Sequence, residues 1–168
     1  MQIWIFTPLW TLFIDIAAWL FFHLGVSYLF LQMPDRWFDS SRQRLIDSDK
    51  RGMEGRKSRE EKFYDRYLHI RLWKDKLPDG GAMFDDGFPK SKLEEHKLAY
   101  YQKFILETRR GEWTHWISML PAPLFFMWNE ELYGWIMILY AVVANLPFII
   151  VLRYNRLRLL RISRRRQK

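Results

Sequence analysis

The chain has 168 residues, of which 49% are apolar, 18% aromatic and 27% charged, with a formal net charge of +8 and no cysteine. That length suits one domain, and the absence of cysteine excludes disulfide frameworks, thiolate metal sites and cysteine nucleophiles together. The positive charge calls for a partner or an address, which is nucleic acid, anionic lipid or membrane topology.

In chain order, "LWTLFIDIAAWLFFHLGVSYLFLQ" (Leu9–Gln32) contains one acid, Asp15, one histidine, His23, and no Lys or Arg. At ~1.5 Å per residue it is long enough to cross a bilayer core of ~30 Å. A signal peptide is the rival reading, but residues 1–8 have no basic stretch and the apolar run exceeds the usual ~7–15 residues. An uncleaved transmembrane helix is therefore expected. Residues 33–112 form a charged middle segment. Within it, residues 39–66 are mixed-charge and read as a solvated helix pair or a loop. "FYDRYLHIRLWKDKLPDGGAMF", from Phe63, reads as an interfacial helix and a tight turn at Leu77–Gly81. From Ser91 a capping box with Glu94 opens an amphipathic helix. It leads into "WTHWISMLPAPLFFMW" (residues 113–128), short for a span and interrupted by Pro121 and Pro123, so a kinked spanning helix and a re-entrant one both fit. "LYGWIMILYAVVANLPFIIVL" (residues 132–152) should span, carrying Asn145 and Pro147, and residues 153–168 read as a basic tail.

Lys and Arg number none in residues 1–32, 19 in 33–112, none in 113–152 and eight from Arg153 onward. The positive-inside rule then places the middle segment and the carboxyl terminus in the cytoplasm and the amino terminus outside. Topology and anionic lipid account for the charge, so no nucleic-acid partner is expected. The fold class expected is all-α: a single integral membrane domain, residues 1–168, of the cell membrane, with about three transmembrane helices and a basic, largely helical cytoplasmic segment between the first and second.

"ETRRGEWTHW" (Glu107–Trp116) gathers two carboxylates, two guanidiniums and a histidine at the edge of an apolar block. On a helix, Glu112 and His115 are neighbours three residues apart, the pairing a general base needs to take a proton from a hydroxyl. Arg109 is placed to hold Glu112, and Arg110 to meet a phosphate or a headgroup. The competing reading is a charged collar before a membrane helix, with Trp113 and Trp116 as interfacial anchors. Glu-x-x-His is also half of a di-iron site, but His23, His69 and His96 are preceded at minus three by Leu20, Arg66 and Leu93. No metal and no other cofactor is expected. Asp15 and His23 are ionisable groups in a span, which is a functional hypothesis by default; hydrogen bonding between helices is the alternative for them and for Asn145.

The stretch Glu107–Pro121, together with "YAVVANLPFIIVLRYNRLRLLRI" (Tyr140–Ile162), "HIRLWKDKLPDG" (His69–Gly80) and "MPD" (Met33–Asp35), resembles the glycosyl-4,4'-diaponeurosporenoate acyltransferase family. The resemblance implies an acyltransferase of staphyloxanthin-type carotenoid biosynthesis, esterifying the sugar 6-hydroxyl of a glycosylated carotenoid acid. It implies as partners the glycolipid acceptor, an acyl-CoA or acyl-carrier donor, membrane lipid and other carotenoid enzymes. The family pattern falls on Glu107, Arg110, Glu112 and His115, on Trp73, Lys74 and Lys76, and on Asn145, Arg153, Tyr154, Asn155 and Arg156. Chemistry and position assign His115 as base and Glu112 as its orienting partner. Arg109, Arg110, Glu107, Trp116, Lys74, Lys76, Asn145 and Arg153 are assigned to substrate, with Asn145 or a backbone N–H at the oxyanion. A non-catalytic glycolipid-binding or scaffolding protein, and an acyltransferase for another glycolipid, are the alternatives.

Overall fold

The computed structural model describes residues 7–39, 58–77 and 98–166. Those residues form four α-helices, α1 (Pro8–Gln32), α2 (Arg59–Arg66), α3 (Leu98–Met119) and α4 (Glu131–Arg166), together with short 3₁₀ segments, and there is no strand among the described residues. The all-α class is as expected. The capping box at Ser91 and the turn residues Pro78–Gly81 lie outside the described residues.

Two of these helices are long and apolar enough to cross a membrane: α1, and α4 over Glu131–Ile162. In α1 only Asp15 and Trp19 are buried, while Trp10, Phe13, Leu20, Phe21 and Leu29 stand exposed. A helix apolar on all sides with so little covered suits lipid rather than water as its surroundings. The block at 113–128 does not form one helix. Proline ends α3 at Met119, because Pro121 lacks an amide hydrogen and its ring crowds the preceding turn, and Ala122–Met127 continue as 3₁₀. A further difference is at the carboxyl end. Pro147 lies inside α4, which runs on through Arg153 to Arg166, so the expected tail is an extension of the last helix.

The contacts divide the chain into two compact units, one of Met1–Gln32 with Trp113–Ile149 and one of Met33–Glu112 with Ile150–Lys168. The core of the first unit gathers Trp19, Ala122, Phe125 and Ala141. Trp19 stacks on Phe125 at 4.7 Å between ring centroids, and its indole N–H donates to Met137 Sδ at 3.3 Å. Asp15 Oδ1 accepts from Trp128 Nε1 and Asn129 Nδ2, both at 2.8 Å. This joins α1 to the turn before α4 and satisfies a carboxylate that no water would reach. The core of the second unit is Tyr101, Phe104, Ile105 and Leu159. Here α2 is started by an N-cap that the sequence reading missed: the Ser58 hydroxyl accepts from Glu61 N at 3.0 Å, with Glu60 and Glu61 in the first turn. His69, after α2, is the one non-glycine residue with positive φ among those described, at 45°.

Within the first unit, Gly134 is required by close approach, since a Cβ there would lie 2.4 Å from the Phe126 ring. Gly134→Ala should therefore lower the melting temperature of the detergent-purified protein, by overpacking worth about 1–3 kcal/mol. An unchanged melting temperature would show that Phe126 yields without cost.

Candidate functional site

In the first unit the residues with chemical capacity meet where α3 faces α4. His115 Nδ1 lies 2.9 Å from Asn145 Oδ1, and the imidazole stacks on Phe148 at 4.9 Å and 10° between planes. Asn145 is 1% exposed, and its Nδ2 donates to Ala141 O at 2.9 Å. This second bond decides the first. Turning the amide over would set its oxygen against the Ala141 carbonyl, two acceptors facing each other, so Oδ1 must be the atom facing His115. It can only accept, hence Nδ1 carries the proton and Nε2 the lone pair. Ser118, one turn on, is 1% exposed.

In the second unit three acid-base groups surround the extension of α4. Glu112, 7% exposed, forms an ion pair with Arg156 and has Arg153 Nη1 at 3.7 Å; Arg153 Nε also meets Glu60 at 2.6 Å. Glu61 is 1% exposed and accepts from Arg161 at 2.8 Å. The Tyr154 hydroxyl donates to Asp65 at 3.0 Å, and Arg71 binds the same carboxylate in two-pronged fashion at 3.0 and 3.2 Å. Tyr64 donates to Glu60, and burial together with that acceptor pushes its hydroxyl up to about 12. Arg110 is enclosed by acceptors: Glu107 at 2.8 and 3.0 Å, the Met33 carbonyl at 3.3 Å and Asp35, with its guanidinium over the Phe38 ring. Burial raises the Glu107 carboxyl above the ordinary value, against the opposing charge of Arg110.

The expected site residues are thus distributed as follows. Glu112 is held by Arg153 and Arg156, not by the expected Arg109, and the group oriented on His115 Nδ1 is Asn145. Arg110, expected to reach a phosphate, is instead committed to Glu107 and Asp35. Arg109 is half-buried, Trp116 exposed, Lys74 half-buried and Lys76 exposed. Sequence reasoning missed Glu60, Glu61, Asp65 and Arg161, although the capping pattern beginning at Ser58 was a signal for the first two. In the stretch expected as a basic tail, with Arg153 assigned to substrate, Arg153, Arg156 and Arg161 are paired with acids. Among the described residues no cluster of His, Cys, Asp or Glu suits a metal ion.

Described residues with helices and no strand, two helices fit to cross a bilayer and an amide-oriented histidine fit a small membrane protein with a candidate general base. The profile of the family described as glycosyl-4,4'-diaponeurosporenoate acyltransferase matches residues 34–165. The protein of that name from Staphylococcus aureus (strain N315) is 36% identical over 159 residues, covering 93% of this chain and 92% of the relative. That from strain Newman is 35% identical over 154 residues, covering 92% and 88%. No solved structure matches the chain. The chain belongs to the glycosyl-4,4'-diaponeurosporenoate acyltransferase family and is an acyltransferase.

Two measurements test the second unit. A carboxyl raised in the folded state, as Glu107 is, holds a proton that the unfolded chain has already released. It therefore lowers stability as pH rises from the ordinary glutamate range through the raised value. The stability of wild type relative to Glu107→Gln should fall across that window and level off above it, read from melting temperatures at a series of pH values; a flat difference would show the carboxyl is unshifted. Removing the guanidinium from the buried Glu61–Arg161 pair leaves a charge with no partner, costing on the order of 3–5 kcal/mol. Arg161→Met should melt well below wild type; an unchanged melting temperature would show that the pair contributes nothing.

Proposed function

We propose that the protein transfers a fatty acyl group from a thioester donor, acyl-CoA or acyl-carrier, to the sugar 6-hydroxyl of a glycosylated carotenoid acid at the cytoplasmic face of the cell membrane. The acceptor class follows from what the relatives are named for. Three spans, with residues 113–128 as the second, set the amino terminus outside and the basic segments inside, which the distribution of Lys and Arg supports.

The observation that carries the reading is the His115–Asn145 contact. With the proton on Nδ1 held by Asn145, Nε2 takes the proton of the sugar hydroxyl as its oxygen attacks the thioester carbonyl. The carbon–oxygen bond forms, the carbon–sulfur bond breaks when the tetrahedral intermediate collapses, and the imidazolium returns its proton to the departing thiolate. Asn145 acts as a positioning residue in this scheme, since both ends of its amide are already engaged, and a backbone N–H is left as the oxyanion donor. Glu112 is locked by Arg153 and Arg156 within the second unit. We assign the phosphates of the donor to Lys74, Lys76 and Arg109, and the headgroup layer to Trp116. Arg110 and Glu107 support the site through their mutual pair.

The test is lipid and pigment mass spectrometry of cells supplied with glycosylated carotenoid acid. Wild type should add one acyl mass to the sugar, and His115→Ala at matched membrane abundance should lose the product by about 10²–10⁴-fold, the usual contribution of a general base. Asn145→Ala should lower kcat, leave KM unchanged and displace the acid limb of the pH profile. Equal product from His115→Ala would retire the assignment.

A further inference from the structure

The first unit holds a cavity of about 310 Å³ between α1 and α4, bordered by Asp15, Trp19 and His23 on one helix and Ile136, Met137 and Tyr140 on the other. Its size is at the lower end of small-molecule sites, about 300–1,000 Å³. None of the chemistry above uses it. We propose that this groove binds the conjugated chain of the acceptor, with His23 meeting the ester carbonyl that joins the polyene to its sugar; the inference rests on the acceptor assigned above.

Four observations converge on that occupant. The lining presents flat rings in series: Trp19 has His23 stacked at 5.3 Å and 28°, and Tyr140 tilted against it at 5.1 Å. Such a wall suits a flat, stiff, polarisable polyene, which loses little conformational freedom on binding, better than a flexible saturated chain. Met137 adds a polarisable sulfur beside Trp19. The rim is open to the bilayer, because Leu20, Ile136 and Tyr140 are exposed, so a membrane-dissolved ligand reaches the groove from the side. Finally, His23 Nε2 is buried with no hydrogen-bond partner, a condition that costs free energy until it is relieved. In the tautomer with the proton on Nε2, a carbonyl at one end of an apolar chain accepts it and relieves the cost. His23 follows Asp15 and Trp19 towards the cytoplasmic end of α1 in the proposed topology, so the polyene extends outward along Trp19 while the sugar faces the side on which the acyl donor arrives. Asp15 lines the far part of the groove, with its Oδ1 bound by Trp128 and Asn129.

The experiment uses purified full-length protein in detergent and two variants. Ile136→Trp fills the groove from an exposed position, and His23→Phe keeps a flat ring without its nitrogens. Retention of glycosylated carotenoid acid is measured by its visible absorbance in the His115→Ala background, where no turnover intervenes. Acceptor and donor KM are measured in the background with His115 intact. Ile136→Trp should lower retention and raise acceptor KM by at least about tenfold (about 1.4 kcal/mol), with donor KM and transfer to a short alkyl glucoside unchanged. His23→Phe should weaken the carotenoid ester and leave binding of a carotenoid hydrocarbon unaffected. A rise in donor KM alone would assign the groove to the acyl chain and overturn the proposal, as would no change in any of these, which would leave ordinary bilayer lipid as its occupant. Retention that responds to Ile136→Trp without ester formation by wild type would support the groove and refute the reaction. Ester formation with acceptor KM untouched by Ile136→Trp would do the reverse.

Discussion

Within the apolar helices, a polar side chain left without a partner inside the protein is costly, because hydrocarbon supplies none. Asp15 and Asn145 meet this demand in opposite ways. Asp15, a potential charge, is met by two neutral donors on a single oxygen, and that pairing sets the start of α4 against the middle of α1. Asn145 divides its amide between a backbone carbonyl four residues back and the imidazole of His115. The requirement for satisfaction thus does two jobs in the same unit: one pairing fixes the packing, and the other fixes a tautomer.

The second unit meets its own demand with charges. Arginines that a count would ascribe to lipid headgroups are taken by Glu60, Glu61 and Glu112, and Tyr154 is drawn into the Asp65–Arg71 pair. Most of these contacts are half-exposed and individually weak. Glu61 and Glu112 are the exceptions, since both are enclosed, and the pairing of Glu61 specifies how α2 sits on the extension of α4 more than it adds net stability. The positive-inside asymmetry and these ion pairs are compatible, because topology depends on how many basic residues lie on one side and not on whether each later finds an acid.

The helical class and the first and last apolar helices were legible because each rests on a local pattern: apolar length and absence of charge. What was hidden depended on distant pairing. Glu112 and His115 are three apart on one helix, so spacing alone pairs them, yet each has a strong partner about thirty to forty residues later on α4. Arg110 shows the same limit: its partners Met33 and Asp35 lie more than seventy residues earlier, beyond any local rule. The division of residues 113–128 was only half legible, since the two prolines marked the break while the 3₁₀ stretch after it depends on Phe125 entering the core against Trp19.

An amide rather than a carboxylate on His115 has a chemical consequence for the proposed transfer. A carboxylate would stabilise the imidazolium strongly, but it would have to be buried as an unpaired charge whenever the ring is neutral. Asn145 fixes the same ring orientation at no charge, so the resting site remains compatible with an apolar setting. The imidazolium then forms only transiently, beside an alkoxide becoming an ester, and the weaker stabilisation favours rapid return of the proton to the thiolate. The charge that the motif does carry, Glu112, is confined to the other unit and neutralised there by two guanidiniums. The strongly ionic groups of the second unit act as fasteners of its own helices.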